Sequence, residues 1–314
     1  MPFLARRTAF VSVVFALLAT LCLCCGCDRP ESSHKERPDT GQNALESPSQ
    51  RPANEGITID PIVVFEEPEA DTPEQAAAAA QSAPQEAVPP VASGTARPRV
   101  AIIIDDMGYH QQLGNQLLAL DLNLTFSFLP AGPFTAQQAA LAKAKGREIL
   151  LHLPMEPRNT AWNPGENALY VRDTPERLRQ KMAGMFSAVP HATGANNHMG
   201  SRFTADAAAM RVVLTTLKEH SFYFIDSYTA RGSQGLAKAQ EIGVPAARRH
   251  IFLDNVQETE TICRQIDELV AIAQKKGAAI AIGHPNRATL RALTECEARL
   301  RTAVEIVSAR QFVQ

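Results

Sequence analysis

Apolar and polar residues follow two patterns in the last two thirds of this 314-residue chain. Short runs of β-branched and small apolar residues, of which Val100-Ala-Ile-Ile-Ile104 is the clearest, are typical of strands buried in a parallel sheet. Longer segments repeat apolar residues every three or four positions, which is typical of helices that pack on a sheet. The short runs predict strands at residues 100–104, 124–128, 148–151, 193–197, 222–225, 251–253, 278–282 and 303–307.

Helices are predicted between most of these strands. Their ends carry the expected signals, because Gly146 follows one helix, Pro175 opens the next, and Thr204 is expected to cap the one after. The predicted helices are residues 111–120, 135–145, 174–187, 205–220, 259–276 and 289–300. This alternation predicts an α/β fold with a parallel sheet, and seven or eight strands favour a distorted or incomplete (β/α) barrel over an open doubly wound sheet.

Charge and cysteine content narrow the function classes. The formal net charge is −2 and no basic patch stands out, which argues against nucleic acid as a partner. No glycine-rich phosphate-binding pattern follows the first strand, so nucleotide binding has no support.

Cys263 and Cys296 both fall in helical patterns. A disulfide between them is one alternative, but we expect two buried free thiols.

The first 27 residues have the pattern of an export signal. Arg6 and Arg7 provide the positive charge, residues 9–23 are apolar, and the stretch ends Leu23-Cys-Cys-Gly-Cys27. This end resembles the signal of bacterial lipoproteins, which implies cleavage before Cys27 and a lipid anchor on that residue. Either this anchor or an uncleaved signal would tether the protein to a membrane of the bacterial envelope, on the periplasmic side.

Residues 28–98 are rich in Pro, Ser, Glu, Gln and Ala and contain few large apolar side chains. Such a segment buries too little apolar surface to offset the entropy lost on folding, so we interpret it as a disordered tether. The remaining residues, 99–314, are predicted to form a single domain that carries the function.

Polar side chains with metal-binding or acid–base chemistry follow most of the predicted strands. In chain order they are Asp105 and Asp106, His152, Asn197 and His198, Asp226, Asp254 and His284. Because functional groups of β/α folds gather at the carboxyl ends of the strands, these side chains should converge. Alternation along a strand predicts that Asp105 and Asp106 point in different directions, one toward a metal and one toward a substrate. A helix N-cap is the alternative role for one of them.

Imidazole and carboxylate ligands with one open position suit zinc or another borderline divalent ion. Asp106, His152 and His198 form a three-ligand set, and a water in the fourth position would have its pKa lowered to about 7. Asp105 is then the expected base that takes the proton of this water, and His284 the expected acid for the leaving group.

Six short motifs form a set: IIDDMG at 103–108, LHLPME at 151–156, NHMGS at 197–201, FIDS at 224–227, FLDN at 252–255 and IGHP at 282–285. Together they resemble the divergent polysaccharide deacetylases, distant relatives of the NodB-type carbohydrate esterases. Over residues 99–312 the resemblance implies a distorted β/α barrel that removes N- or O-acetyl groups. It also implies that the first aspartate of the pair, Asp105, is the base and that the second, Asp106, is a metal ligand. A histidine late in the chain, His284, is implied to be the acid.

One motif departs from the better-known deacetylases, which take two histidine ligands from a single His-x-x-x-His motif. Four residues after His152 this chain has Glu156. The second such ligand is therefore either His198, which we prefer, or Glu156. Their Arg-and-Pro motif, which braces the base, has no clear counterpart here.

The leading hypothesis is an envelope-anchored, metal-dependent hydrolase that removes acetyl groups from a glycan. The alternatives are a non-catalytic module that binds a glycan or a protein on the same fold, and a metal hydrolase of another amide or ester. Asp226 is assigned to catalysis, and either Asp226 or Asp254 is expected to orient His284 while the other contacts the sugar. Further candidate substrate contacts are Asn197, Arg202 and Arg249.

Overall fold

The computed structural model describes residues 97–313. The predicted export signal (1–27), the predicted acylation site Cys27 and the predicted tether lie outside these residues. The strands are β1 (Arg99–Met107), β2 (Thr125–Phe128), β3 (Glu148–Met155), β4 (Gly194–Met199), β5 (Tyr223–Asp226), β6 (Ala246–Arg248), β7 (Ile251–Phe252), β8 (Ala278–Gly283) and β9 (Glu305–Ile306). The helices are α1 (Gln111–Ala119), α2 (Thr135–Ala144), α3 (Pro175–Ala188), α4 (Ala207–Glu219), α5 (Gly235–Ile242), α6 (Thr259–Lys276), α7 (Arg287–Glu295) and α8 (Glu297–Ala303). Within the described chain, no helix has both the length and the apolar composition needed to cross a membrane.

Eight of the strands form one continuous parallel sheet in the order β6-β5-β4-β3-β2-β1-β8-β7, and the short β9 pairs with β1. Helices cross over between most successive strands, as parallel pairing requires. The end strands β6 and β7 do not pair with each other in residues 97–313, so the sheet stays open between them. The predicted α/β fold with an incomplete barrel is confirmed, in the form of a half-barrel.

Alternate residues of each strand face two different layers. On β1, Ile102 and Ile104 belong to the main core between sheet and helices, whereas Ile103 belongs to a smaller core inside the half-barrel. The C-terminal residues Phe312 and Val313 pack against this inner core. They enter at the amino ends of the strands, since the Ala309 N–H donates to Oγ1 of Thr125, the first residue of β2 (3.1 Å). The polar groups of the site occupy the opposite end.

The observed helices differ from the predicted ones in three places. Helix α4 begins after Asp206, whose Oδ1 accepts hydrogen bonds from the amides of Ala208 (3.0 Å) and Ala209 (2.8 Å), so the cap is Asp206 and not Thr204. The segment predicted as one helix at 289–300 is two helices, α7 and α8, that meet at Cys296. Helix α5 and strand β6 escaped prediction because eight and three residues are too short to display a period.

A disulfide joins Cys263 of α6 to Cys296, which lies between α7 and α8, with Cα atoms 6.4 Å apart. The expectation of two free thiols is therefore wrong. The two cysteines are 33 residues apart in sequence, and the packing of α6 against α7 brings them together. That tertiary contact is not visible in the helical periodicity of either segment.

Candidate metal centre

Both aspartates at the end of β1 face the interior of the half-barrel. Asp105 does so as strand alternation predicts. Alternation alone would turn Asp106 to the opposite face, but its φ of 52° is left-handed, and the pairing of β1 with β2 shifts register between Ile104 and Met107. This irregularity brings the second carboxylate to the same side, so that both line one small cavity. The expectation that the two side chains point in different directions is therefore wrong.

Side chains from β1, β3 and β4 form a compact set of potential metal-ligand atoms. Asp106 Oδ1 lies 3.1 Å from His152 Nε2 and 2.9 Å from His198 Nδ1. All three ligand atoms lie within 4.8 Å of one another, and Glu156 is not part of the set. Asp106 Oδ1 is buried, and although both imidazole nitrogens lie close to it, no donor in the described chain meets full hydrogen-bond geometry with it. Such a carboxylate oxygen is costly unless a cation compensates it. The three residues therefore fit a divalent metal ion.

A buried asparagine on β4 holds two members of the site. Asn196 Oδ1 accepts hydrogen bonds from Ser127 Oγ (2.6 Å) and from His152 Nδ1 (2.8 Å). Asn196 Nδ2 donates to both carboxylate oxygens of Asp105, at 2.7 and 2.9 Å. Because an amide oxygen only accepts, His152 carries a proton on Nδ1, and Nε2 is the nitrogen that it presents to a metal.

Sequence reasoning missed Asn196 and selected its neighbour Asn197. Residues two apart on a strand share a face, so Asn196 lies on the same face of β4 as His198. Its position two residues before the predicted ligand His198, on the same face of the strand, was the signal that would have identified Asn196.

The adjacent aspartates have opposite pKa shifts. Burial raises the pKa of Asp105, and the nearby imidazoles of His152 and His284 offset part of this rise. Burial also raises the pKa of Asp106, but the His198 and His152 imidazoles outweigh it and hold the pKa well below its usual range. Asp106 is thus suited to remain an anionic ligand, and Asp105 to take up a proton.

His284 pairs with a carboxylate that is itself tightly held. Its Nδ1 lies 2.9 Å from Asp254 Oδ1, and its backbone N–H donates to Asp254 Oδ2 at 2.6 Å. The side chains of Asn286 and Thr289 also donate to Asp254 Oδ2, each at 2.8 Å. Burial lowers the pKa of His284, but Asp254, Asp106 and Asp105 outweigh burial and raise the pKa to about 9. His284 therefore holds a proton at neutral pH, as a general acid must.

Two cavities meet at the ligand set. The smaller, of about 30 Å³, is lined by both aspartates together with His152, His198 and His284, and has room for about two water molecules. The larger, of about 190 Å³, shares Asp106 and His198 with it. A candidate base, a candidate acid and a candidate ion site thus face one small space, which opens onto a wider cleft.

Comparison with known proteins identifies the family of this domain. Residues 102–313 match the family described as divergent polysaccharide deacetylase, and the match covers more than half of the chain. The chain belongs to the divergent polysaccharide deacetylase family.

Relatives and a solved structure are similar over the same region. The uncharacterized protein YibQ of Escherichia coli K12 is 35% identical over 216 residues, which are 68% of this chain and 67% of that protein. An uncharacterized protein of Haemophilus influenzae is 36% identical over 198 residues, or 63% of this chain and 70% of that protein. The crystal structure of the uncharacterized protein ATU2773 from Agrobacterium tumefaciens C58 matches with a TM-score of 0.66 and 26% identity, over 70% of this chain and 91% of that one.

Asp226 of this deacetylase-family domain lies at the end of β5 but on the side of the helices. Its Oδ2 accepts hydrogen bonds from Ser233 Oγ (2.8 Å) and from the Leu236 amide (3.3 Å), and its Oδ1 accepts one from the Tyr228 amide (2.9 Å). These bonds hold the segment that leads into α5. Of the two aspartates considered for orienting His284, it is Asp254 that pairs with it.

The predicted substrate contacts lie in three different surroundings. Asn197 lines the smaller cavity. Its Oδ1 accepts a hydrogen bond from the Ser227 amide (2.9 Å), and its Nδ2 donates one to the Met199 carbonyl (2.8 Å). Arg249 is buried and donates to the carbonyls of Ser227 (2.7 Å) and Tyr228 (3.1 Å). Burial lowers the pKa of Arg249 to about 10, and the carboxylates of Asp226 and Asp105 act in the opposite direction. Arg249 is thus a fixed positive charge near Asp105.

Arg202 and Glu156 lie at the base of the long connection between β3 and α3. Arg202 is half exposed, and its Nη1 lies 3.3 Å from Glu156 Oε1. Glu156 Oε2 accepts a hydrogen bond from the Val171 amide (2.8 Å). Of the two alternatives, His198 belongs to the candidate set with Asp106 and His152, whereas Glu156 is engaged in holding this connection.

Proposed function

We propose that the domain is a metal-dependent hydrolase that removes acetyl groups from a glycan. The observation that carries the proposal is the shared small cavity, in which Asp105 and His284 flank the set Asp106, His152 and His198. Membership of the divergent polysaccharide deacetylase family supports a polysaccharide as the substrate class.

Asp106, His152 and His198 would hold the divalent ion, for which zinc is the first candidate because the set combines one carboxylate with two imidazoles. When bound, such an ion polarises an acyl oxygen and lowers the pKa of a water molecule. The Asn196 carboxamide contributes by orienting His152 Nε2 toward that position.

The protein groups on either side of the set would move the protons of hydrolysis. Asp105 accepts a proton from the water whose oxygen forms the new bond to the acetyl carbon, and burial favours this protonation by raising its pKa. His284 donates its Nε2 proton to the departing nitrogen or oxygen of the sugar as the acyl bond breaks. Asp254 holds the imidazole through Nδ1 and stabilises its charged form. The products are acetate and the free amine or hydroxyl of the glycan.

We also infer that the domain acts in the cell envelope, tethered through the predicted signal and Cys27. The Cys263–Cys296 disulfide supports this location, because disulfides persist in oxidising compartments such as the bacterial periplasm. Cell fractionation with wild type and a Cys27→Ser variant tests the inference. Membrane association of the wild type is expected. Its loss in the variant would assign the anchor to the lipid on Cys27, and its retention would assign it to an uncleaved signal. A wild-type protein found in the cytoplasm would refute the inference.

The hydrolase proposal is tested by acetate release from acetylated glucosamine oligomers, with the full chain loaded with zinc. Asp105→Asn should lower the rate by at least about a hundredfold while bound zinc stays unchanged. Asp121→Asn is the matched control, because Asp121 is exposed and pairs with Arg301 at the surface. Oligomer binding without any acetate release by wild type would instead favour a non-catalytic binding module, and release from acetylated peptides alone would favour another amide substrate.

A further inference from the structure

The wider cleft beside the ligand set has no role in the proposed chemistry so far. Its floor is shared with the small cavity at Asp106 and His198. Its walls come from the segment after β2, from Pro154 on β3, from Pro285 after β8 and from residues 163–166 of the connection between β3 and α3. The rest of a molecule whose acetyl group reaches the small cavity can therefore extend along this cleft.

The wall at 163–166 belongs to a segment that hydrogen bonds hold near both of its ends. The Glu156 amide donates to the Leu169 carbonyl (2.9 Å), and the Leu169 amide donates to the Pro154 carbonyl (2.8 Å). Lys181 Nζ on α3 donates to the Ala168 carbonyl (2.7 Å). The backbone that carries this wall is thus held to β3 and α3.

The cleft lining is mainly apolar, with a few polar side chains and one carboxylate beyond the ligand set. Leu129, Pro130 and Pro285 offer apolar surface, on which the C–H faces of sugar rings can pack. Apart from Asp106, the carboxylate in the lining is Glu166, and among residues 97–313 neither Lys nor Arg lines the cleft. Glu166 lies near Tyr109, since burial and then the Glu166 charge raise the pKa of that phenol. Tyr109 thus stays a neutral hydrogen-bonding group.

We propose that this cleft binds the sugar units adjacent to the acetylated one, and that Glu166 makes it select neutral or amine-bearing chains over carboxylated chains. The inference rests on the proposed function, because it assumes that the site acts on a glycan. A carboxylated sugar in the cleft would meet Glu166, and the part of the lining that the structure describes offers no lysine or arginine to balance it. An amine-bearing sugar, which is also the product of N-deacetylation, would gain an ion pair with the same side chain.

Three unacetylated tetrasaccharides of equal length test the selection by titration calorimetry at low ionic strength: a glucosamine, a glucose and a galacturonate tetramer. The wild-type full chain should bind the amine-bearing chain most tightly and the carboxylated chain most weakly. Glu166→Gln should weaken binding of the glucosamine tetramer about two- to fivefold, the range of one exposed ion pair, and should leave binding of the glucose tetramer unchanged. Glu268→Gln on α6 is the matched control, since it removes the same charge from an exposed position outside the cleft.

A second variant tests the effect of charge in the cleft by adding a positive charge instead of removing the negative one. Ala131→Lys places a cation on an exposed position of the cleft lining and should improve binding of the galacturonate tetramer. Equal binding of all three tetramers by wild type, or an equal effect of Glu166→Gln and Glu268→Gln, would overturn the inference. Because none of the tetramers carries an acetyl group, this result is independent of turnover. A protein that shows the binding order but releases no acetate would overturn the proposed hydrolysis and leave the cleft assignment intact.

Discussion

Two buried histidines face the same small cavity, and they differ in the partner of Nδ1. His152 Nδ1 lies 2.8 Å from the carboxamide oxygen of Asn196, and His284 Nδ1 lies 2.9 Å from the carboxylate of Asp254. Each ring is thereby fixed with its Nε2 atom directed at the cavity. The geometry of the two supports is nearly equal, so what distinguishes the histidines is the charge of the partner.

A neutral amide orients an imidazole without adding a negative charge, which suits a ring that must give its Nε2 lone pair to a metal. A buried carboxylate adds a full negative charge, and Asp254 is the largest influence that raises the pKa of His284 to about 9 against the effect of burial. In the proposed roles, the group behind each imidazole thus suits His152 to bind a metal and His284 to act as an acid.

Replacing each histidine in turn should separate the two roles most strongly. His152→Ala should lower zinc affinity by more than about a hundredfold, beyond what loss of a supporting group costs, and acetate release should fall to background. His284→Ala should also abolish release but keep stoichiometric zinc. Elemental analysis of both purified variants makes the measurement. Equal zinc contents in the two variants would contradict the division of roles.

Removing the charge behind His284 should have the next largest effect. Asp254→Asn preserves the shape of a side chain that receives four hydrogen bonds, yet it removes the carboxylate that stabilises the imidazolium. We expect acetate release to fall by about 10² to 10⁴, with zinc content unchanged. Steady-state rates over a range of pH give the readout, and a rate within threefold of wild type would argue against an acid role for this pair.

Protonation of His284 should also make stability depend on pH in the metal-free protein. The folded protein holds this proton up to a pKa of about 9, whereas an unfolded histidine loses it near 6.5. The stabilisation is therefore fully present below pH 6.5 and is lost as the pH rises toward 9, with an upper bound of about 3 kcal/mol. His152, whose pKa is also raised, contributes with the same sign.

Urea unfolding of wild type and Asp254→Asn at pH 6, 7.5 and 9 isolates the His284 contribution. The variant should lose less stability across this range, since the carboxylate that raises the pKa is gone. Parallel pH profiles for the two proteins would show that the pair does not titrate as described.

Loss of the amide behind His152 should have the smallest effect of the series. Asn196→Ala should weaken zinc binding about ten- to a hundredfold, the usual cost of removing a group that supports a ligand. Ser127→Ala, which removes one of the hydrogen bonds to Asn196, should cost less than tenfold. Competition with a chelator of known affinity measures both variants. Unchanged zinc affinity in Asn196→Ala would make the asparagine a packing residue only.

The strand positions and the chemistry at their ends were largely predictable from local pattern. A run such as 100–104 is readable because a buried strand has a short, uninterrupted apolar signature. The three candidate ligands were predicted together, because carboxyl ends of parallel strands must meet at one edge of the sheet. What failed was the orientation of Asp106, since a left-handed residue and a register shift break the alternation on which that expectation rested.

The sequence by itself determined the fold class and the chemical types that gather in the site, because both depend on the period of each strand and on the residues directly after its last position. Only the tertiary structure decided which partner each group received. The hydrogen bonds of Asn196 reach Asp105 across 91 positions and His152 across 44, and His284 reaches Asp254 across 30. Such pairings depend on strand order and register in three dimensions, and no local pattern encodes them.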